Sequence, residues 1–139
     1  MNLQKRYLLM GGAVLAILLT LAAGLLFWGR RPFRGLEAAD IAAATVLVGP
    51  PDVTLELTGA EREELAGLLQ TAVTHRRDDS WREYAGQGVT YTLEFTDGTV
   101  RTVTEFYPFL IVDGVGYRAS HDPCQALSQF GNRILSARG

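Results

Sequence analysis

The feature that most constrains this chain is an uncharged stretch of 22 residues, Tyr7–Trp28, near its beginning. A bilayer offers the peptide backbone no hydrogen-bond partners, so a segment inside one must be helical. At 1.5 Å per residue this stretch would span about 33 Å, against a hydrocarbon core of about 30 Å. Tyr7 and Trp28 mark its two ends, where aromatic rings favour the membrane–water interfaces. The sequence therefore predicts a single-pass transmembrane helix over 7–28.

A cleaved signal peptide is the alternative interpretation of this stretch. The apolar region of a signal peptide usually covers about 7–15 residues and ends at small residues. Triplets at 20–22 and 22–24 could serve as cleavage sites, but the apolar run continues beyond them to Trp28. An uncleaved anchor is therefore favoured. It would join a cytoplasmic N-terminus (1–6) to a basic tether (29–40).

The flanking charges leave the orientation of the anchor nearly undecided. Two basic side chains and the terminal amine precede the apolar run, and three arginines follow it. The positive-inside comparison is therefore close to a tie. The residues compared are Lys5 and Arg6 before the run and Arg30, Arg31 and Arg34 after it.

The part of the chain after Gly35 is acidic. It contains eight arginines, no lysine and fifteen carboxylates, which gives a formal net charge of −7. Nucleic-acid binding is excluded, because neutralising phosphates requires a clustered basic surface. With Cys124 as the single cysteine, an intramolecular disulfide is excluded as well.

The first half of the predicted domain, which covers 41–139, begins with two strands and a helix. The β-prone stretches Ile41–Val48 and Val53–Leu57 are separated by two prolines, which cannot continue a strand ladder. Thr58 and Glu61 then form a capping-box pattern ahead of a run with apolar residues at helical spacing. The charged stretch 74–88 follows, with a short edge strand expected at Trp81–Tyr84.

Two hairpins are predicted next. Strict alternation of apolar and polar residues over Val89–Phe95 indicates a half-buried strand. Asp97-Gly98 is typical of a two-residue type I′ turn, which would set Glu94 opposite Arg101. Asp113-Gly114 repeats the turn signal after another apolar run.

The last element is a helix with Asp122 as its expected N-cap and Pro123 in its first turn. Together these patterns predict an α+β fold. An N-terminal transmembrane helix would precede a small antiparallel sheet, with two helices packed on one face of the sheet. The expected order is β-β-α-β-β-β-β-α.

Cys124 and His121 are the candidate catalytic pair. A cysteine in the first turn of a helix has its thiol pKa lowered by the helix dipole. The competing interpretation is that Cys124 is a small apolar residue on the packed face of the helix, three residues before Leu127. Glu105 and Asp113 are the carboxylates considered for acid–base work. Asp113 is explained by turn chemistry, and Glu105 is assigned to an outward-facing strand position.

No metal or cofactor is predicted. A metal site requires three or four convergent ligands, and His75 and His121 are far apart with no spaced partners.

The stretch 74–88, together with the bend at 107–109, is the candidate partner-binding surface. Aromatic residues are interleaved there with charges that neither helix capping nor strand pairing explains. Long loops on rigid scaffolds often bind partners, and Trp, Tyr and Arg dominate interface hot spots. The competing interpretation is a solvated connection whose aromatic rings fold back onto the sheet. The residues expected to contact a partner are Arg76, Arg77, Trp81, Arg82, Tyr84 and Tyr107.

The block Phe106–Leu135, and above all the run PFLIVDGVGYR at Pro108–Arg118, resembles uncharacterised small membrane-anchored or secreted proteins of Gram-positive, clostridia-like bacteria. The resemblance implies a bacterial origin and a domain outside the cytoplasmic membrane. It implies no activity and no catalytic residue.

Three function classes follow from these observations. The favoured one is a non-enzymatic binding or regulatory module, held by its anchor at the outer face of the cell membrane and contacting a protein partner. The first alternative is a small thiol enzyme or hydrolase that uses Cys124 and His121. The second is a structural subunit of a membrane complex, bound through the anchor helix.

Overall fold

The computed structural model describes residues 2–86 and 88–138, with the side chains of 23–28 left out. The chain divides into two compact units, Met1–Arg30 and Arg31–Gly139. The first unit contains helix α1 (Leu3–Trp28). Among the described residues, α1 is the helix that is long and apolar enough to cross a membrane, over Leu3–Ala22, and a signal sequence meets the same criteria. The Trp28 ring, expected at an interface, lies outside the described side chains.

The second unit contains a seven-stranded sheet within its described residues, and all neighbouring strands are antiparallel. The helices α2 (Gly59–Thr71) and α3 (His121–Arg138) accompany it, which confirms the α+β class. The strand order across the sheet is β2-β1-β4-β5-β6-β7-β3. The strands are β1 (Ile41–Val48), β2 (Val53–Glu56), β3 (Thr74–Arg77), β4 (Val89–Phe95), β5 (Val100–Phe106), β6 (Phe109–Val112) and β7 (Val115–Ala119).

The main core lies between the sheet and the two helices. Leu69 of α2 and Phe130 of α3 are buried with inward residues of the central strands, and the Phe130 ring lies 6.0 Å from the ring of Tyr91. The predicted capping box at the start of α2 is confirmed. The Glu61 N–H donates to the Thr58 hydroxyl at 3.3 Å, and the Thr58 N–H donates to Glu61 Oε1 at 2.8 Å.

The β4–β5 hairpin differs by one residue from the predicted register. Leu93 lies opposite Arg101 and Tyr91 opposite Val103, so the predicted pairing of Glu94 with Arg101 is wrong. A change of register by one residue moves every side chain of the strand to the opposite face of the sheet. The register is therefore decided by which side chains become buried. The observed register places the apolar Val103 beside Tyr91 under the helices, whereas the predicted one would have placed threonines there.

The turn of this hairpin also differs from the prediction. The Phe95 N–H donates to the Thr99 carbonyl at 2.8 Å, which leaves a three-residue loop instead of a two-residue turn. Within this loop Gly98 has a positive φ, +88°, and Asp97 does not. The Asp97 carboxylate accepts hydrogen bonds from the Thr99 N–H and hydroxyl. At Asp113-Gly114 both residues have positive φ, 51° and 83°, so the second predicted two-residue turn is confirmed.

Two predicted boundaries are wrong. The expected edge strand Trp81–Tyr84 is occupied by a 3₁₀ helix, Ser80–Glu83, and the edge strand is β3, seven residues earlier. After β3, Asp78 and Trp81 lie against Gly116 of β7. Helix α3 begins at His121, directly after sheet pairing ends, so Asp122 lies in its first turn and is not its N-cap.

The compact unit begins at Arg31, ten residues before the predicted start of the domain at 41. Phe33 is 2% exposed, and the Arg101 guanidinium lies 4.7 Å from the centre of its ring. The Arg31 Nε–H donates to the Gln70 carbonyl at 3.0 Å. Arg31 and Phe33, within the predicted tether 29–40, therefore contact the compact unit.

Candidate partner-binding site

Four of the eight arginines that follow Gly35 lie at one edge of the sheet. Arg76 and Arg77 belong to β3, Arg82 belongs to the 3₁₀ helix after it, and Arg118 belongs to the neighbouring strand β7. We call these four residues the arginine corner. The corner includes three of the residues expected from the sequence to contact a partner.

Asp78 holds the segment that follows β3, residues 78–86, against β7. Its carboxylate accepts from the Ser80 N–H at 3.0 Å and from Arg118 Nε–H at 2.9 Å, and its own N–H donates to the Gly116 carbonyl at 2.8 Å. The bonds from Ser80 and Arg118 hold the Asp78 pKa far below its usual range. Asp78 is therefore ionised across physiological pH and is part of the support of the segment.

Asp79 makes a second attachment. Its Oδ1 accepts from the Gly116 N–H at 2.9 Å, and its Oδ2 accepts from Arg77 Nε–H at 3.0 Å. The Gly116 N–H, followed by Arg77, lowers the Asp79 pKa. The sequence offered no structural role for the charges of this stretch, but the structure gives one to Asp78 and Asp79. Both acids fix the segment to β7.

Gly116 provides the space in which the segment lies. A Cβ at this position would collide with the Asp78 carbonyl oxygen and with the Trp81 ring. Trp81 is half-buried there, and its Nε1 is buried without a hydrogen-bond partner in the described part of the chain. Of the six residues expected to contact a partner, Trp81 is thus one that packs on the sheet.

At the corner the aspartate side chains are more buried than the arginine side chains beside them. The side chains of Arg76 and Arg77 are 75% and 68% exposed, whereas those of Asp78 and Asp79 are 17% and 34% exposed. Arg82 is also exposed, with its guanidinium 5.3 Å from the centre of the Trp81 ring. The acids face the protein and the side chains of Arg76, Arg77 and Arg82 face the solvent, while Arg118 is bonded to Asp78.

The segment meets the β5–β6 bend at Phe109. The Tyr84 ring lies 5.7 Å from the ring of buried Phe109, the Phe106 ring lies 6.3 Å from it, and the Arg118 guanidinium lies 4.9 Å from its centre. Tyr84 remains 59% exposed. The structure therefore brings Tyr84 to the bend and to the corner.

Tyr107 is placed differently from the other candidate residues. It is 50% exposed, and its ring lies edge-on to His121 at the start of α3, 4.9 Å away. It therefore extends the exposed aromatic surface toward α3.

The candidate pair Cys124 and His121 lacks the features of a reactive thiol site. Cys124 is 2% exposed, and burial, followed by the charge of nearby Glu105, raises its thiol pKa to about 12. These two effects outweigh the helix dipole. His121 is exposed and contacts the Asp122 carboxylate at 3.0 Å. The thiol is protonated at neutral pH and closed to substrates in this conformation.

The burial of Glu105 was not predicted from the sequence. The predicted outward position is wrong, since Glu105 is 7% exposed on the helix-covered face, where burial raises the pKa of its carboxyl. Its Oε1 accepts from the Tyr107 N–H at 3.0 Å. A signal was available, because Val103 and Glu105 lie two residues apart on one strand and must share a face.

Among the described residues, no three His, Cys, Asp or Glu side chains are placed to hold a metal ion. A solvent-open cavity of about 560 Å³ is lined by Phe33, Phe95, Asp97 and Arg101, among others. Its Asp97 and Arg101 already bond to Thr99 and Asp113.

No protein-family model matches the chain, and comparisons with curated proteins and with solved structures likewise find no match.

Proposed function

We propose that this chain is a single-pass membrane protein whose C-terminal domain acts, outside the cytoplasmic membrane, as a non-enzymatic binding module for a protein partner. The contact surface is the arginine corner together with Tyr84. Helix α1 supports the anchor, and the resemblance of the block Phe106–Leu135 supports the extracytoplasmic side.

The observation that carries this proposal is the separation of charges at the corner. The backbone N–H of Asp78 and the carboxylate of Asp79 hold the segment on Gly116, and the side chains of Arg76 and Arg77 remain outside. Binding loses affinity when side chains and loops must be ordered on contact, so a surface that is already ordered favours binding. Exposed Arg and Tyr are also the side chains that contribute most at interfaces.

The state of Cys124 favours this role over thiol chemistry. A nucleophilic cysteine has to reach its substrate as a thiolate. The buried thiol of Cys124, with its raised pKa, is neither ionised nor accessible.

The experiment is photo-crosslinking of the full-length chain in its native membrane. A photoreactive phenylalanine analogue replaces Tyr84, and Gly116→Ala is added in a second version to displace the segment. Gly67→Ala is the matched control, because a Cβ at this exposed position of α2 meets no neighbouring atom. We expect a discrete adduct that Gly116→Ala removes and Gly67→Ala retains. Absence of any adduct, or an adduct that Gly116→Ala leaves unchanged, would overturn the proposal.

A further inference from the structure

We infer that the solvent-open cavity between residues 32–40 and the β4–β5 hairpin loop binds a small organic cation with an apolar body, such as an aromatic amine. Its volume, about 560 Å³, lies within the roughly 300–1,000 Å³ of small-molecule sites. The cavity and the arginine corner are formed by different residues, so this inference goes beyond the proposed function and does not depend on it.

Both walls of the cavity are held in place by hydrogen bonds within the domain. The Gln70 side chain, from α2, donates to the Leu36 carbonyl and fixes the wall formed by residues 32–40. The Asp40 carbonyl accepts from the Thr96 N–H at 2.9 Å, which joins this wall to the hairpin loop. A site whose walls are already ordered loses less affinity on binding than one that must be assembled.

The apolar part of the site is supplied by Phe95 and Leu36. Both are half-buried and line the cavity, as does Phe33. The guanidinium of Arg101 lies over the Phe33 ring and is ion-paired with Asp113 at 3.0 Å. Arg101 is therefore balanced by Asp113, and Phe95 and Leu36 remain as apolar contacts for a ligand. An aromatic ring also attracts a cation to its face.

The charge of the lining is negative. Asp97 accepts from the Thr99 hydroxyl and N–H, and these bonds lower the pKa of its carboxyl, so it is ionised at neutral pH. The Asp40 carboxylate makes no hydrogen bond or ion pair within the part of the chain that the structure describes. Arg34 and Glu37, the other charged residues of 32–40, have opposite charges and do not line the cavity. The lining thus has two carboxylates in excess, which favours a cation over a neutral molecule or an anion.

The test uses the full-length protein in lipid nanodiscs and tryptamine, an aromatic primary amine that is a cation at neutral pH. Two control compounds keep the indole ring and change the charge: tryptophol is neutral, and indolepropionate is an anion. Binding is followed by isothermal titration calorimetry, with the heats measured for empty nanodiscs subtracted. The site is mapped by backbone amide exchange.

We expect saturable binding of tryptamine, about tenfold tighter than that of either control compound, with added amide protection at residues 95–101. Asp40→Asn should weaken this binding about tenfold, because it removes one of the two carboxylates in excess. Asp52→Asn is the matched control and should leave the binding unchanged, because Asp52 is an exposed turn residue outside the lining.

Four outcomes would overturn the inference. They are no binding at about 1 mM tryptamine, equal affinity for either control compound, an affinity that Asp40→Asn leaves unchanged, and amide protection confined to residues outside the lining. The Tyr84 crosslinking result bears on the corner alone, so either proposal can fail while the other stands.

Discussion

Gly116 donates its backbone N–H to Asp79 Oδ1 at 2.9 Å, which joins strand β7 to a residue 37 positions earlier in the chain. The Gly116 carbonyl accepts the N–H of the preceding residue, Asp78. One glycine therefore anchors the segment through both of its backbone groups, and the exposed arginines of the corner depend on it for their position.

The first prediction concerns this anchor. Gly116→Ala should lower the free energy of unfolding, because the added Cβ collides with the Asp78 carbonyl and the Trp81 ring. A cost on the order of 1–3 kcal/mol is expected for such overpacking. Gly67→Ala should instead stabilise α2 by roughly 0.5–1 kcal/mol. Chemical denaturation of both variants measures the difference, and equal midpoints would mean that the segment does not lie on Gly116.

The second prediction concerns the β4–β5 turn. Gly98→Val should destabilise more than Thr99→Val, because Gly98 has a φ of +88° and a β-branched residue is strained there. The expected cost is about 1–3 kcal/mol. Thr99→Val loses the hydroxyl bond to Asp97 and should cost about 0.5–1.5 kcal/mol. Thermal melts rank the two variants, and the reverse ranking would contradict the observed loop.

The two hairpin turns show how much of the fold could be predicted from the sequence. Both Asp-Gly pairs were identified as hairpin turns, and Asp113-Gly114 has the predicted form. At Asp97-Gly98 the dipeptide is compatible with a two-residue or a three-residue loop, and the choice depends on which strand residues become buried. In the observed register Val103 and Glu105 lie on the face covered by the helices. The residues of the turn alone do not predict which register forms.

The residues of the candidate site could be predicted from the sequence, but the contacts between them could not. Arg77, Trp81 and Arg82 could be selected from the sequence alone. The bond between Asp78 and Arg118 could not, because the two residues are 40 positions apart in the chain. Because Trp81 packs on the sheet, replacing it together with the two arginines would disturb the fold. Arg77→Ala with Arg82→Ala is the variant that isolates the contact surface.

The third prediction concerns the buried carboxyl of Glu105. Its pKa is raised in the folded state by burial, so the folded protein holds the proton more tightly than the unfolded chain. The free energy of unfolding therefore falls as the pH rises from the ordinary pKa of 4.5 toward the higher folded value. Glu105→Gln should lack this decline, since its amide stays neutral.

Urea denaturation of wild type and Glu105→Gln across this pH range measures the effect. The stability of the variant relative to wild type should increase with pH and then level off. Parallel pH profiles would mean that Glu105 is solvated.

The fourth prediction concerns acid denaturation. The pKa of Asp78 is lowered by Ser80 and Arg118, so its stabilising contribution is complete above the ordinary pKa of 3.8. It is lost as the pH falls from there toward the lower folded value. Asp78→Asn should reduce stability at neutral pH and flatten the acid limb of the profile. Asp52→Asn, at an exposed turn position, serves as the control, and equal profiles for the two variants would contradict the role of Asp78.

The fifth prediction concerns topology. Helix α1 is long and apolar enough to span a membrane, but a signal sequence meets the same criteria, so the side of the domain and the fate of the N-terminus need a direct test. Single cysteines are introduced at Asn2 and at Ser136, both exposed. The native Cys124 can be retained because its thiol is buried.

We expect a membrane-impermeant maleimide to label Ser136→Cys in intact cells and Asn2→Cys only after permeabilisation. A domain that crosses the membrane can do so despite its charge, because long domains translocate largely regardless of it. Labelling of Ser136→Cys only after permeabilisation would place the domain in the cytoplasm. Loss of Asn2→Cys from the mature chain would show that α1 is cleaved and that the domain is released.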